Sequence, residues 1–267
     1  MNDHSSSKRG YRGYSLFPLL STASALTMLF TVPVFSASPI KSRPSLQLTH
    51  NIQPDRAKDW GQRVSETSFG SYVIGNPDAP VKLLEYLSLT CPHCAELTRE
   101  SLQPLMRHYI SKGLVSLEIR HAVRDAFDAT ATLLVRCGDR QHYIDRVEQI
   151  FNNQNRWMDS AIEFSQKQAK VRDNISYEAF FQKAATDTGL IEMMKPVGLT
   201  SDQSLLCLKD PVALDLLKRQ SVEIIEKSKI PGTPYLLLNG RPITDSRTKP
   251  DWAIIDSKIK AALQKKN

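Results

Sequence analysis

The sequence predicts an α/β fold whose sheet-forming parts are separated by a long all-helical insertion. Three patterns predict it. A strand, a helix and a second strand follow one another between Val81 and Ile119. From residue 124 to residue 227 strand patterns are few, and apolar residues recur at helical spacing. Sheet pattern then returns after Ile230.

The N-terminus has the order basic, apolar, small. Lys8, Arg9 and Arg12 precede an apolar stretch from Leu16 to Phe35, and Ser36-Ala37-Ser38 follows it. Residues 1–37 therefore read as a secretory signal peptide cut after Ser36 or Ala37, or as a retained N-terminal anchor. Export places the chain in an oxidising compartment, where disulfides persist. Residues 38–66 read as a linker, interrupted by Pro39, Pro44 and Pro54. The folded region is expected to begin near Phe69.

Asn76-Pro77-Asp78-Ala79-Pro80 is a turn. Val81 to Leu87 is apolar on both faces apart from Lys82 and Glu85, the pattern of a central strand. The helix that follows, from Cys91 to Ile110, carries Leu102, Leu105, Met106, Tyr109 and Ile110 at helical spacing, and Gly113 ends it. Val115, Leu117 and Ile119 alternate with polar residues as a second strand. In the insertion, Leu133, Leu134, Cys137, Ile144, Val147 and Phe151 predict a helix or a broken pair, and Phe180, Phe181, Ala184 and Ala185 another. Thr200 and Gln203 have capping-box spacing. Asp210-Pro211 starts a helix with Leu214, Leu217, Ile224 and Ile225 on one face. Tyr235 to Leu238 is a short strand, Asn239-Gly240 a hairpin turn, Arg241 to Ile243 its return, and Pro250 to Leu263 a closing helix.

The 267 residues suit one or two domains with a sizeable core, and 41% hydrophobic with 24% charged residues is ordinary for a soluble protein. The formal charge of +7 is spread along the chain, a solvated surface of basic bias, and no nucleic-acid motif accompanies it.

Chemistry concentrates at Cys91-Pro92-His93-Cys94. A C-x-x-C is either a redox pair or half of a metal site. Structural zinc needs a second ligand pair of similar spacing, and Cys137 and Cys207 stand alone. An apolar strand before the motif and a helix after it favour redox chemistry. Unpaired N–H groups at the helix start stabilise a thiolate at Cys91, and Pro92 suits the first turn, where a missing N–H costs little. His93 adds a donor and, when protonated, a charge of the same effect, against the plainer reading of a surface histidine. Cys91 is then the accessible, reactive sulfur, and Cys94, one turn on, the inward resolving one.

The run Glu85-Tyr86-Leu87-Ser88-Leu89-Thr90-Cys91-Pro92-His93-Cys94 resembles the active-site segment of bacterial DsbA-type thiol:disulfide oxidoreductases. Gly232-Thr233-Pro234 resembles the cis-proline loop of the thioredoxin fold, and Phe151 to Trp157 a stretch of the inserted helical domain. The resemblance spans residues 67–267. It implies a thioredoxin-like fold, residues 67–123 and 228–267, with an inserted all-helical domain, residues 124–227. It also implies Cys91 as nucleophile, Cys94 as its partner, and a cis Pro234 packed against the pair; residues alone favour a trans proline. Thr233 would offer its backbone to a substrate strand. Glu85 would be a buried acid that moves protons for Cys94, against the alternative of a strand-end glutamate in solvent. Cys137 and Cys207, left over once 91 pairs with 94, are expected to form a structural disulfide in an oxidising compartment, the alternative being two buried thiols.

The function this implies is a monomeric periplasmic oxidase that passes its disulfide to reduced exported proteins and is reoxidised by a membrane quinone-linked partner of the DsbB kind. No cofactor or metal is expected. The alternatives are an isomerase or reductase of the same fold kept reduced in the cell, and a soft-metal protein using Cys91, His93 and Cys94.

Overall fold

The computed structural model describes residues 59–171, 175–245 and 248–265. The segment read as signal peptide or anchor, residues 1–37, lies outside them, as does most of the linker. The linker's last residues are not a linker. Trp60–Gln62 forms a 3-10 turn capped by the Asp59 carboxylate, and Val64–Glu66 is strand β1. It pairs antiparallel with β2, Tyr72–Gly75, which the sequence pattern did not single out. Both strands are too short for alternation to stand out, so pairing rather than periodicity makes them strands.

β3, Val81–Leu87, and α1, Pro92–Leu105, follow where the pattern puts them. The helix continues as a π turn over Met106–Ile110. Gly113 then takes φ +70°, where an added Cβ would sit 2.8 Å from the Trp60 ring. β4, Val115–His121, lies parallel to β3 in register Val81 opposite Val115 through Leu87 opposite His121.

The expected broken pair is α2, Ala126–Val135, and α3, Tyr143–Asn152. After these come α4, Gln154–Val171, α5, Tyr177–Asp187, and the short α6, Leu190–Met194. α7, Ser201–Leu208, opens on the capping box of Thr200 and Gln203. α8, Pro211–Val222, is capped by the Asp210 carboxylate, which accepts from the N–H groups of Val212 and Ala213. Leu214, Leu217 and Ile224 are buried, but Ile225 is 65% exposed. A π turn over Glu223–Ser228 breaks the 3.6-residue period just there, so the face read from α-helical spacing does not continue.

β5, Tyr235–Leu238, pairs antiparallel with β3, and β6, Arg241–Pro242, pairs with β5. Between them Asn239 and Gly240 both have positive φ, +48° and +78°, as a two-residue hairpin turn requires. α9, Trp252–Gln264, closes the chain. The sheet order is β1-β2-β4-β3-β5-β6.

β3 is therefore central, with β4 on one side and β5 on the other. One continuous apolar core runs from Ile74, Val81, Leu83 and Leu117 in the sheet through Leu97 and Leu102 of α1 to Leu134, Phe151 and Trp157 among the inserted helices. Each such side chain contributes roughly 1.5–3 kcal/mol by burial. The opposite face of the sheet carries Tyr86 and Ala122 against Ile224. Cys137 and Cys207 form a disulfide that ties the end of α2 to α7 across 70 residues of sequence, with their Cα atoms 5.8 Å apart.

Candidate active site

The site is built where β3 ends and α1 begins. Ser88–Cys91 is a tight turn closed by the Cys91 N–H donating to the Ser88 carbonyl at 3.1 Å. Cys91 is the N-cap of α1, in extended conformation, and Pro92 occupies the first helical turn. Both cysteines are thiols here.

The two sulfurs are made unequal. Cys91 is pushed down to about 4, first by the hydrogen bond from the Cys94 thiol, then by the Thr233 side chain and the backbone N–H groups of Cys94 and His93, against the opposing effect of burial. Its Sγ also lies 3.3 Å from the Thr233 carbonyl. Cys94 is 0% exposed and moves up, because burial, its bond to Cys91 and the nearby charges of Cys91 and Glu85 all disfavour its thiolate. One group is a thiolate at neutral pH and the other its proton donor.

Two expectations change. Cys91, expected to be the accessible sulfur, is only 4% exposed and is therefore buried. The His93 imidazole is 63% exposed and sits 3.7 Å from the Glu96 carboxylate. What His93 directs at Cys91 is its backbone N–H, not its ring.

Thr233 and Pro234 enter from the loop before β5. Their peptide bond is cis. Together with His93, Gly232 and Lys249 they line a groove of about 250 Å³ beside the cysteines. Lys249 also pairs with the Glu96 carboxylate.

Glu85 lies on β3 beneath the pair, 8% exposed, opposite Ile119 and Leu236 of the flanking strands. Its Oε1 has no hydrogen-bond partner among the described residues. Burial pushes its carboxyl up to about 7, so it gains and loses its proton near neutral pH. It acts electrostatically on Cys94. Among the described residues no group of three His, Cys, Asp or Glu is arranged to hold a metal ion. Cys137 and Cys207 are bonded to each other and not to Cys91 or Cys94.

Sequence reasoning missed the residues that hold the turn. Asp128 of α2 is fully buried and accepts from Ser88 Oγ at 2.6 Å, Leu89 N at 2.9 Å and Arg124 N at 3.0 Å. Thr90 Oγ1 donates to Asp125 at 3.1 Å. Gln154 Nε2 donates to the carbonyls of Leu89 and Cys91 at 2.8 and 3.0 Å. The available signal was a carboxylate inside the apolar run Ala126–Val135, which needs buried partners.

The thioredoxin family model matches residues 67–257. A relative from Rickettsia bellii, named "Putative protein-disulfide oxidoreductase", is 25% identical over 72% of this chain and 66% of its own length. One of the same description from Rickettsia typhi is 25% identical over 63% of this chain and 54% of its own. The chain thus spans between about half and two thirds of these relatives. Among solved structures, a protein-disulfide isomerase from Novosphingobium aromaticivorans is similar with a TM-score of 0.64 and 26% identity, covering 72% of this chain and 96% of that one. The α-DsbA1 of Wolbachia pipientis shares the fold, with a TM-score of 0.52 and 21% identity over 74% of this chain and 94% of that one.

Proposed function

The chain belongs to the thioredoxin family, and from that premise we propose that it is a thiol–disulfide oxidoreductase of the DsbA type working through Cys91 and Cys94. The observation that carries this reading is the inequality of the two sulfurs: Cys91 lowered to about 4 at a helix start, Cys94 buried and raised. The names of its relatives agree with it.

The direction proposed is oxidation of protein substrates. A substrate thiolate attacks Cys91 Sγ in the Cys91–Cys94 disulfide, and Cys94 leaves as a thiolate. Cys94 takes a proton, for which the protonated Glu85 carboxyl is the buried source. A second substrate thiolate attacks the substrate sulfur of the mixed disulfide and expels Cys91. The substrate loses two electrons and gains a disulfide; the cysteine pair gains two electrons. A leaving group as stable as this Cys91 thiolate favours the dithiol product and makes the disulfide form a strong oxidant. Regeneration requires an external two-electron acceptor, for which a membrane quinone-linked partner of the DsbB kind is proposed. Reduced exported proteins would be the substrates and the periplasm the compartment, on the basic–apolar–small order of residues 1–37. An extended substrate backbone would lie along Thr233 and Pro234 in the groove beside His93.

Replacing Cys91 with serine is expected to abolish oxidative refolding of reduced ribonuclease, read as regained nuclease activity. Undiminished refolding by Cys91→Ser would refute the assignment. A second reading, an isomerase kept reduced in the cell, is favoured by the resemblance to the Novosphingobium protein. A mostly dithiol resting state of Cys91 and Cys94, trapped by rapid alkylation in cells, would replace the oxidase reading with it.

A further inference from the structure

The turn that presents the reactive sulfur is held chiefly from the inserted helices. Ser88, Leu89, Thr90 and Cys91 each bond to Asp125, Asp128 or Gln154. Most of these contacts hold residues that precede the nucleophile. One of them acts on the nucleophile's own peptide.

Cys91 is followed by proline, so the Cys91–Pro92 peptide has no N–H. Its carbonyl is the only polar handle on that peptide plane. Two donors hold it: the Ala95 N–H at 3.2 Å, which belongs to the helix itself, and Gln154 Nε2 at 3.0 Å. The orientation of this plane sets ψ of Cys91, which is 119°. Turning it swings the helix start, with the N–H groups of His93 and Cys94, relative to the Cys91 sulfur. We infer that Gln154 is a positioning residue for Cys91, its side-chain amide fixing the Leu89 and Cys91 carbonyls and so aligning the sulfur with the N–H groups of α1.

The amide is itself held in place before any substrate arrives. Gln154 is buried and is the first residue of α4, just past the corner that ends α3. The last carbonyls of a helix lack intrahelical partners. Here the Gln149 carbonyl accepts from Asn153 Nδ2 at 2.9 Å, that of Ile150 from the Trp157 indole at 3.2 Å, and that of Phe151 from Arg99 Nη1 at 2.9 Å. Arg99 belongs to α1, so the corner is tied to the same helix whose start Gln154 steadies. Two side chains, one at each end of this contact, hold the α3–α4 corner against the active-site helix.

A buried amide that merely satisfied two carbonyls would be a structural residue. A half-buried amide that satisfies one carbonyl serves for comparison. Gln182 Nε2 donates to the Leu205 carbonyl at 3.2 Å, within the inserted helices and remote in sequence from Cys91 and Cys94. The inference rests on Cys91 and Cys94 being the working pair, and the test separates the two claims. In the full chain, the thiolate absorbance of the dithiol form is titrated with pH for wild type, Gln154→Met and Gln182→Met, and the equilibrium with glutathione is measured for each. Methionine keeps length and volume and removes the donors. Gln154→Met is expected to raise the Cys91 midpoint by roughly one pH unit, which is about tenfold in the equilibrium constant for reduction. Gln182→Met is expected to leave both quantities at the wild-type value. An unmoved midpoint in Gln154→Met overturns the inference, and so do equal shifts in the two variants, which would mean general loosening. If Gln154→Met does not fold, Gln154→Asn, whose shorter amide falls away from these carbonyls, is read by the same criterion. Wild type without a low-pH thiolate and without glutathione exchange would refute the functional reading itself. Wild type with both, and an unshifted variant, refutes this inference alone.

Discussion

Replacing Glu85 by glutamine is expected to stabilise the protein above neutral pH and to slow its chemistry, two effects that follow from one buried carboxyl. Burial alone moves Glu85 from 4.5 to about 7. A carboxyl whose pKa is raised by folding binds more protons in the native than in the unfolded state between those values. Its contribution is therefore fully favourable below about 4.5 and is lost as pH rises through about 7. Each pH unit between the two values is worth about 1.4 kcal/mol, so at pH 8 the ionised group costs roughly 3 kcal/mol. Glutamine keeps the shape and has no charge to bury. Urea unfolding of wild type and Glu85→Gln, both in the disulfide form so that the cysteines do not titrate, measures the difference at a series of pH values. The variant is expected to gain on wild type steadily from about pH 4.5 to about pH 7, reaching roughly 3 kcal/mol. The same variant is expected to exchange disulfides more slowly, on the order of tenfold or more, because Cys94 loses its proton source. A stability difference that stays constant with pH would refute the reasoning, since it would mean that Glu85 is not desolvated by the fold.

The other predictions concern the inserted helices. Removing the second disulfide with Cys137→Ala and Cys207→Ala is expected to cost about 4 kcal/mol on loop entropy for a separation of 70 residues, and to leave exchange through Cys91 intact; urea unfolding and glutathione exchange read the two halves, and a parallel loss of exchange would show that the bridge also shapes the active site. Trp157→Phe is expected to cost about 2–3 kcal/mol, because the Ile150 carbonyl loses its indole donor and a fully buried side chain shrinks; a change under about 0.5 kcal/mol by urea unfolding would mean that the corner relaxes at no cost.

Much of the framework is legible in the sequence because it is local. The β3 run Val81–Leu87, the capping box at Thr200, the Asp210-Pro211 helix start and the Asn239-Gly240 turn each depend on residues within one element. The features that were missed depend on partners far along the chain. β1 and β2 are strands because each finds a neighbour, and Val64–Glu66 looks like linker until Tyr72–Gly75 lies beside it. Spacing in the sequence places the His93 ring near Cys91, whereas its rotamer takes it to within 3.7 Å of the Glu96 carboxylate. The apolar run around Asp128 marks a carboxylate that needs buried partners, but nothing local to Asp128 or Gln154 says that the partner is the Ser88–Cys91 turn, with bonded residues 39 to 65 positions away.

Cys91-Pro92-His93-Cys94, with the apolar strand before it and the helical pattern after it, pointed to thiol chemistry from the sequence, since residue types, spacing and a helix start are encoded locally. Only the tertiary structure decided which sulfur carries the charge and how firmly it is held. That depends on burial of Cys94 and Glu85, on Thr233 brought back from 142 residues away, and on the amide of Gln154 from the insertion. The physical reason is that a thiolate's energy is set by the dipoles and dielectric around it, and these are assembled from segments that meet only when the chain is folded.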